Sequence, residues 1–334
     1  MNRPIMPLVA ALALLGFDLV GQAHAQSCEG PVTELTGDRG YTIFSRFTSN
    51  ATVDATGATW HLSQYPKGRN LWPVRIVGQT NACIRGGAVI GDTPMEIAWG
   101  VRYSNGNAAG VTVGPYYGGL TRNPVVEAMR LHNMGDGIRT GSRTRDFVDR
   151  GNWISASYDD CMENDGKSEG LSEDNLLDGC FDAFSARNSS VIPRAGEVWT
   201  IKDNLVRLAP VPGWPSKAQK SGPAHSQVFK WEKVSLPVRL VNNIFALEQP
   251  ARTQYGSRYN PFSFPTTVFN LADWNKYVVE SRGNVIVWTG PGEYPYPAPP
   301  GFTVTTDQGV WDDAKSAWLA RHPEVARVAG DPDY

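Results

Sequence analysis

Five times along the chain a strand-like stretch runs into an asparagine followed by two apolar residues. The copies are Asn152-Trp153-Ile154, Asn175-Leu176-Leu177, Asn204-Leu205-Val206, Asn243-Ile244-Phe245 and Asn284-Val285-Ile286. Strand-like sequence precedes each, over residues 146–150, 171–174, 199–203, 238–242 and 277–282. The asparagines lie 23, 29, 39 and 41 residues apart. A minimal coil followed by coils with growing insertions is what a solenoid looks like in sequence. Two short strands meeting at a one-residue corner are how a β-helix turns. Asparagine suits that corner because it tolerates the left-handed backbone region. Stacked on successive rungs, asparagine side chains can also satisfy each other's buried amides. Asn81, after residues 74–77, and Asn133, after residues 125–131, read as earlier copies.

A second column follows the form Asp-x-apolar: Asp136-Gly137-Ile138, Asp160-Cys161-Met162 and Asp182-Ala183-Phe184. Its spacings of 24 and 22 are again one rung. Gln227-Val228-Phe229 continues it. Strands are therefore expected to stack over residues 136–140, 160–164, 182–186 and 227–231. Residues 52–60 read as the first strand and turn. Near the C-terminus, Asp307 can cap a helix from about Gly309 to Arg321, ending before Pro323. Val310, Trp311, Ala314, Trp318 and Leu319 share one face of it at helical spacing.

The expectation is an all-β fold: a single-stranded right-handed parallel β-helix over residues 26–300. A C-terminal extension, residues 301–334, packs its short α-helix on the barrel. Residues 1–25 read as a signal peptide, with Arg3 in a basic n-region, apolar sequence from Met6 to Leu15, and Ala23-His24-Ala25 as the cleavage site. A secreted or periplasmic protein follows, with no stable membrane insertion. Four cysteines then suit two disulfides. Three connectivities exist, and proximity in the chain favours Cys28–Cys83 and Cys161–Cys180. No C-x-x-C with a nearby histidine points to zinc. A formal net charge of −2 without a basic cluster argues against nucleic acid as partner.

With its asparagine ladder, Gly135-Asp136-Gly137-Ile138 and Tyr158-Asp159-Asp160-Cys161, the sequence resembles the pectin-lyase-like superfamily over roughly residues 50–290. Within it, the bacterial secreted proteins known only as right-handed parallel β-helix repeat proteins are most alike. The resemblance implies a fold shared by pectate and pectin lyases, polygalacturonases, alginate-modifying enzymes, phage tailspikes and non-catalytic adhesins. Fold does not choose among them. Asp159 and Asp160 are similar to the paired aspartates of polygalacturonases, and Asp136 to that family's preceding aspartate. The Gly-His-Gly motif expected one rung later is absent, with Asp182-Ala183-Phe184 in its place, and the Arg-x-Lys motif is absent too.

Rungs stack about 4.8 Å apart, so equivalent outward residues become neighbours. One outward column is Arg139, Glu163, Ser185 and Lys230; a second is Gly141, Asp165 and Arg187. The Asp136, Asp160, Asp182 column sits at strand starts, where its direction stays open. Asp159, Asp160, Glu163, Arg187 and Lys230 are the candidate catalytic residues. Asp136, Asp160, Glu163 and Asp165 are candidate ligands for Ca²⁺, a hard ion that prefers oxygen. In a lyase the ion would neutralise a uronate carboxylate while Arg187 or Lys230 takes the proton. In a glycoside hydrolase two carboxyls would flank the bond. The same face could instead only bind glycan, or epimerise a uronate. Long insertions at 188–198, 209–225 and 248–273 are expected to build groove walls. Arg139, Trp214 and His225 are candidate contacts to a polysaccharide, and Tyr116 and Tyr117 offer further rings. His132 reads as a corner or core histidine. Lyase chemistry on an acidic polysaccharide stands slightly ahead of hydrolysis.

Overall fold

The computed structural model describes residues 28–62, 72–114, 119–188, 190–217 and 222–326. The leader at residues 1–25 and the pair Tyr116–Tyr117 lie outside them. Among the described residues, twenty-one strands form one continuous parallel sheet that winds as a β-helix. Each rung contributes to three faces. Strands on the first face, such as Phe147–Arg150, Gly170–Glu173, Trp199–Lys202 and Val238–Val241, lead into the asparagine corner. After the corner, the second face takes the starts of Trp153–Glu163 and Leu176–Ala186, then Leu205–Leu208 and Ile244–Leu247. The third face takes Asp136–Thr140, the ends of those same two long strands, and Phe229–Trp231.

The five asparagines stack as expected. The backbone N–H and Nδ2 of Asn152 both donate to Asn175 Oδ1 at 3.0 Å. Asn175 repeats this onto Asn204, Asn204 onto Asn243, and Asn243 onto Asn284. Every Nδ2 also reaches a backbone carbonyl, so these fully buried amides are satisfied. One detail differs from the sequence reading. The left-handed residue is the one before the ladder: Gly151, Asp174, Asp203, Asn242 and Gly283 all have φ between 51° and 65°. Asparagine is needed for its side-chain amide, while its predecessor makes the turn. Asn81 and Asn133 do not extend the ladder. Asn81 belongs to another corner column, accepting from Asn123 and donating to Asn50. Asn133 instead bonds to the Gly91 and Thr93 carbonyls. Met129 holds the rung before Asn152, and its N–H donates to Asn152 Oδ1.

Apolar residues fill the bore in register. Ile138, Met162, Phe184 and Phe229 lie directly over one another and are at most 1% exposed. Burying each such side chain stabilises the coil by roughly 1.5–3 kcal/mol. Phe262 and Phe264 close on Phe229, so part of the 248–273 insertion packs into the core instead of walling a groove. Outside the second face, Trp153, Leu176 and Leu205 form an apolar stripe. The helix Gly309–Arg321 covers it with buried Trp311 and Trp318, and Asp307 Oδ1 accepts the Gly309 N–H at its start. No helix among the described residues is long and apolar enough to cross a membrane.

Charge alternates along the outward column of the first face. Asp54, Arg85, Glu127, Arg150, Glu173 and Lys202 succeed one another rung by rung. Arg85–Asp54, Arg150–Glu127 and Lys202–Glu173 are ion pairs of 2.7, 2.6 and 2.9 Å. Disulfides join Cys28 to Cys83 and Cys161 to Cys180, the pairing that chain proximity favours.

Candidate active site

The third face carries the columns expected from the repeat. Arg139 lies beside Glu163, Glu163 beside Ser185, and Ser185 beside Lys230. Inward Ile138, Met162 and Phe184 alternate with them and fix their outward direction. Asp160 lies beside Asp182 one rung on, just past a register shift that follows Ser157. At this irregular strand start the aspartates leave strict alternation, and Asp160 and Asp182 reach the wall of a cavity of about 480 Å³.

Lys230 organises the floor of that cavity. Its Nζ donates to Asp159 Oδ1 and to Asp160 Oδ2, both at 2.9 Å, and stands 4.0 Å from Asp182 Oδ2. These carboxylates hold Lys230 as an ammonium and push its pKa further up, against the effect of its burial. Glu163 pairs with Arg139 at 3.0 Å and hydrogen-bonds to Asp136. Two carboxyls sharing a hydrogen bond need one proton between them.

Burial dominates the acid–base character of the cluster. It raises Asp136 and Asp182 to about 6, with the neighbouring Asp159 charge adding to the effect. Asp160 and Glu163 are raised well above the usual carboxylate range, again chiefly by burial. Asp160 Oδ1 has no hydrogen-bond partner among the described residues. Asp159 differs: it accepts from Lys230 and, at 2.8 Å, from Asn107 Nδ2.

One oxygen from each of Asp136, Asp159 and Asp160 lies within 4.8 Å of the others, close enough to share a cation. That set differs from the ligands expected. Asp165 turns aside, accepting from Ser185 Oγ and from the Arg187 N–H. Glu163 is taken by Arg139 and Asp136. The positive charge in contact with Asp159 and Asp160 is the Lys230 ammonium, so a metal ion would compete with it for both carboxylates.

Arg187 is exposed at the rim and lines the cavity, as do Arg139 and Trp214. His225 is placed differently from the expectation. It is fully buried, its ring nitrogens 2.9 and 3.0 Å from the Ser226 and Gln249 carbonyls, and burial lowers its pKa to about 4. It braces the wall from behind, while its neighbours Ser226 and Gln227 face the cavity.

Five lining residues escaped the sequence reading: Trp99 and Tyr103, on the helix Trp99–Asn105, and Asn107, Phe181 and Ser226. The Trp99 N–H donates to the Pro212 carbonyl, which ties this helix to the 209–225 insertion. Trp99 then packs edge-on to Trp214 at 5.0 Å and stacks with Tyr103 at 5.1 Å, with Phe181 behind. The result is an aromatic wall beside an acidic floor. At seven residues this helix is too short to show a sustained helical period in the sequence.

No family model matches the chain, and no curated protein does. Among solved structures it is similar to the mannuronan C-5 epimerase AlgE4 A-module of Azotobacter vinelandii, at 12% identity over 83% of each chain with a TM-score of 0.38. It is also similar to the AlgE6 A-module of the same organism, at 11% identity over 83% of this chain and 90% of that one, with a TM-score of 0.36.

Proposed function

We propose that this is an exported carbohydrate-active β-helix protein that cleaves the glycosidic bonds of an acidic polysaccharide in the groove of its third face. The observation that carries this reading is the pairing of Asp159 and Asp160 about one ammonium at the foot of an aromatic wall. Aromatic faces suit sugar rings, since they offer apolar area and a polar edge. Retained protons on the buried acids lower the negative charge of the floor, and Arg187 at the rim suits a uronate carboxylate. Two disulfides support an oxidising compartment.

Hydrolysis is favoured over elimination by the state of Lys230. An ammonium clamped by two carboxylates has no lone pair with which to take the C5 proton of a uronate. Asp182, which lines the cavity and which burial raises to about 6, supplies the acid for the leaving oxygen, and Asp159, an acceptor to two donors, activates water or attacks the anomeric carbon. Elimination assisted by Ca²⁺ is the second reading, and the spacing of Asp136, Asp159 and Asp160 is what favours it.

The test incubates the protein with uronate polymers, with and without Ca²⁺, and follows reducing ends and absorbance near 235 nm. Reducing ends without absorbance are expected. Absorbance that needs Ca²⁺ would instead favour elimination. Neither signal, with binding retained, would reduce the groove to a glycan-binding surface.

A further inference from the structure

On the second face, away from the acidic groove, a separate cavity of about 570 Å³ holds a serine and a histidine in contact. His132 lies beside Ser155 in register, and Ser155 beside Asp178 on the next rung. His132 Nδ1 is 2.7 Å from Ser155 Oγ. The guanidinium of Arg130 approaches the same nitrogen at 3.5 Å, and a guanidinium only donates. Nδ1 therefore carries the lone pair, the ring proton sits on Nε2, and the Ser155 hydroxyl is the donor to Nδ1. That is the arrangement of a serine activated by a neutral imidazole base.

The surroundings hold this pair in place. Arg130 is fully buried, stacked on the Trp153 ring at 4.1 Å and bonded to the Leu131 carbonyl at 3.0 Å. Beside Ser155, Asp178 is contacted at 2.5 Å by Lys315 from the C-terminal helix, and Arg207 bonds to the same carboxylate. Arg207 and Lys315 also line the cavity, both paired with the Asp178 carboxylate.

We infer that this cavity is a second active site, in which Ser155 and His132 cleave carboxylic esters of short acyl chain. Ser155 Oγ adds to the ester carbonyl carbon as its proton passes to His132 Nδ1. The imidazolium returns that proton to the departing alkoxide oxygen as the C–O bond breaks, leaving the acyl group on Oγ. Water then adds to the acyl carbon and gives a proton to Nδ1. Ser155 leaves with that proton and the carboxylic acid departs, so no other reactant is consumed.

The experiment uses the unmodified full chain. It is treated with diisopropyl fluorophosphate, digested and mapped by mass spectrometry, and p-nitrophenyl acetate hydrolysis is followed in parallel. A phosphoryl adduct on Ser155 is expected, with ester turnover lost in step with labelling. Ser155→Ala and His132→Gln should each lower turnover by about 100-fold or more. Absence of the adduct from Ser155 with turnover at the buffer rate, or labelling of another residue, would overturn the assignment. Because the adduct is read on the native chain, a variant that fails to fold leaves the result decisive.

Discussion

Lys230 Nζ meets Asp160 Oδ2 at 2.9 Å although 70 residues of chain separate the two. The contact exists because Ser185 lies between the strands of Glu163 and Lys230 and is too short to block it. A small residue on one rung lets a long side chain from the next reach back over it. Lys230→Met should therefore abolish turnover and leave the buried acids without their cation. Removing one partner from a buried ion pair costs on the order of 3–5 kcal/mol. Urea denaturation should register that loss, and adding Asp160→Asn should restore part of it. An unchanged denaturation midpoint in Lys230→Met would refute the pairing.

Turnover should fall as pH rises. Burial raises Asp136 and Asp182 to about 6, so they keep their protons up to about that pH. A proton-donating carboxyl is spent once ionised, so the acid limb is the active one. A kcat/KM profile taken from pH 4 to 9 should decline above about 6. A profile rising through that range would assign the chemistry to a base.

Asp149 provides a test free of the groove. It is 2% exposed, and burial alone raises its pKa well above the usual range. Since its folded pKa exceeds the unfolded one, its contribution to stability is full below about pH 4 and is lost as pH rises through the folded value. Asp149→Asn should thus gain stability over the parent chain at pH 8, by about 1–3 kcal/mol, and little at pH 4. Thermal melts at both pH values decide it.

The asparagine ladder makes a graded prediction. Asn204→Ala removes the acceptor of the Asn175 N–H and of one of the two Asn175 Nδ2 hydrogens, and the side-chain donor to the Ser172 carbonyl. Asn152→Ala strands only the Met129 N–H and the Val126 carbonyl. Each buried orphan costs about 1–3 kcal/mol. Chemical denaturation should rank Asn204→Ala as the more damaging, and equal losses would contradict the stacking described.

Trp214 stands in the aromatic wall. Trp214→Ala should raise KM about tenfold with a smaller change in kcat, since a stacking platform binds ground and transition states alike. Steady-state kinetics on a soluble oligomer separate the two effects.

Much of this architecture was legible because a stacked fold writes its register into the chain. Asn152, Asn175 and Asn204 had to recur, and so did the apolar residues beside them. Once Asp-x-apolar repeated, Arg139, Glu163, Ser185 and Lys230 fell into one column by counting. What counting misses is direction and depth. His225 looked like a loop histidine because nothing in its neighbours signals burial. Trp99 and Tyr103 reach the groove through a helix inserted between rungs, held by a carbonyl more than a hundred residues away. Such contacts belong to no repeat. The residue that turns the corner was misassigned for a similar reason, since Gly, Asp and Asn all fill it and only the invariant neighbour drew notice.

The alternating charges from Asp54 to Lys202 carry a rule about growth. Excising a single coil from that run would set like above like at the new junction, acid on acid or base on base. Excising two would leave attraction intact. A protein lengthened or shortened by whole turns along this edge should tolerate even numbers and resist odd ones, a parity imposed by electrostatics on how such a stack evolves.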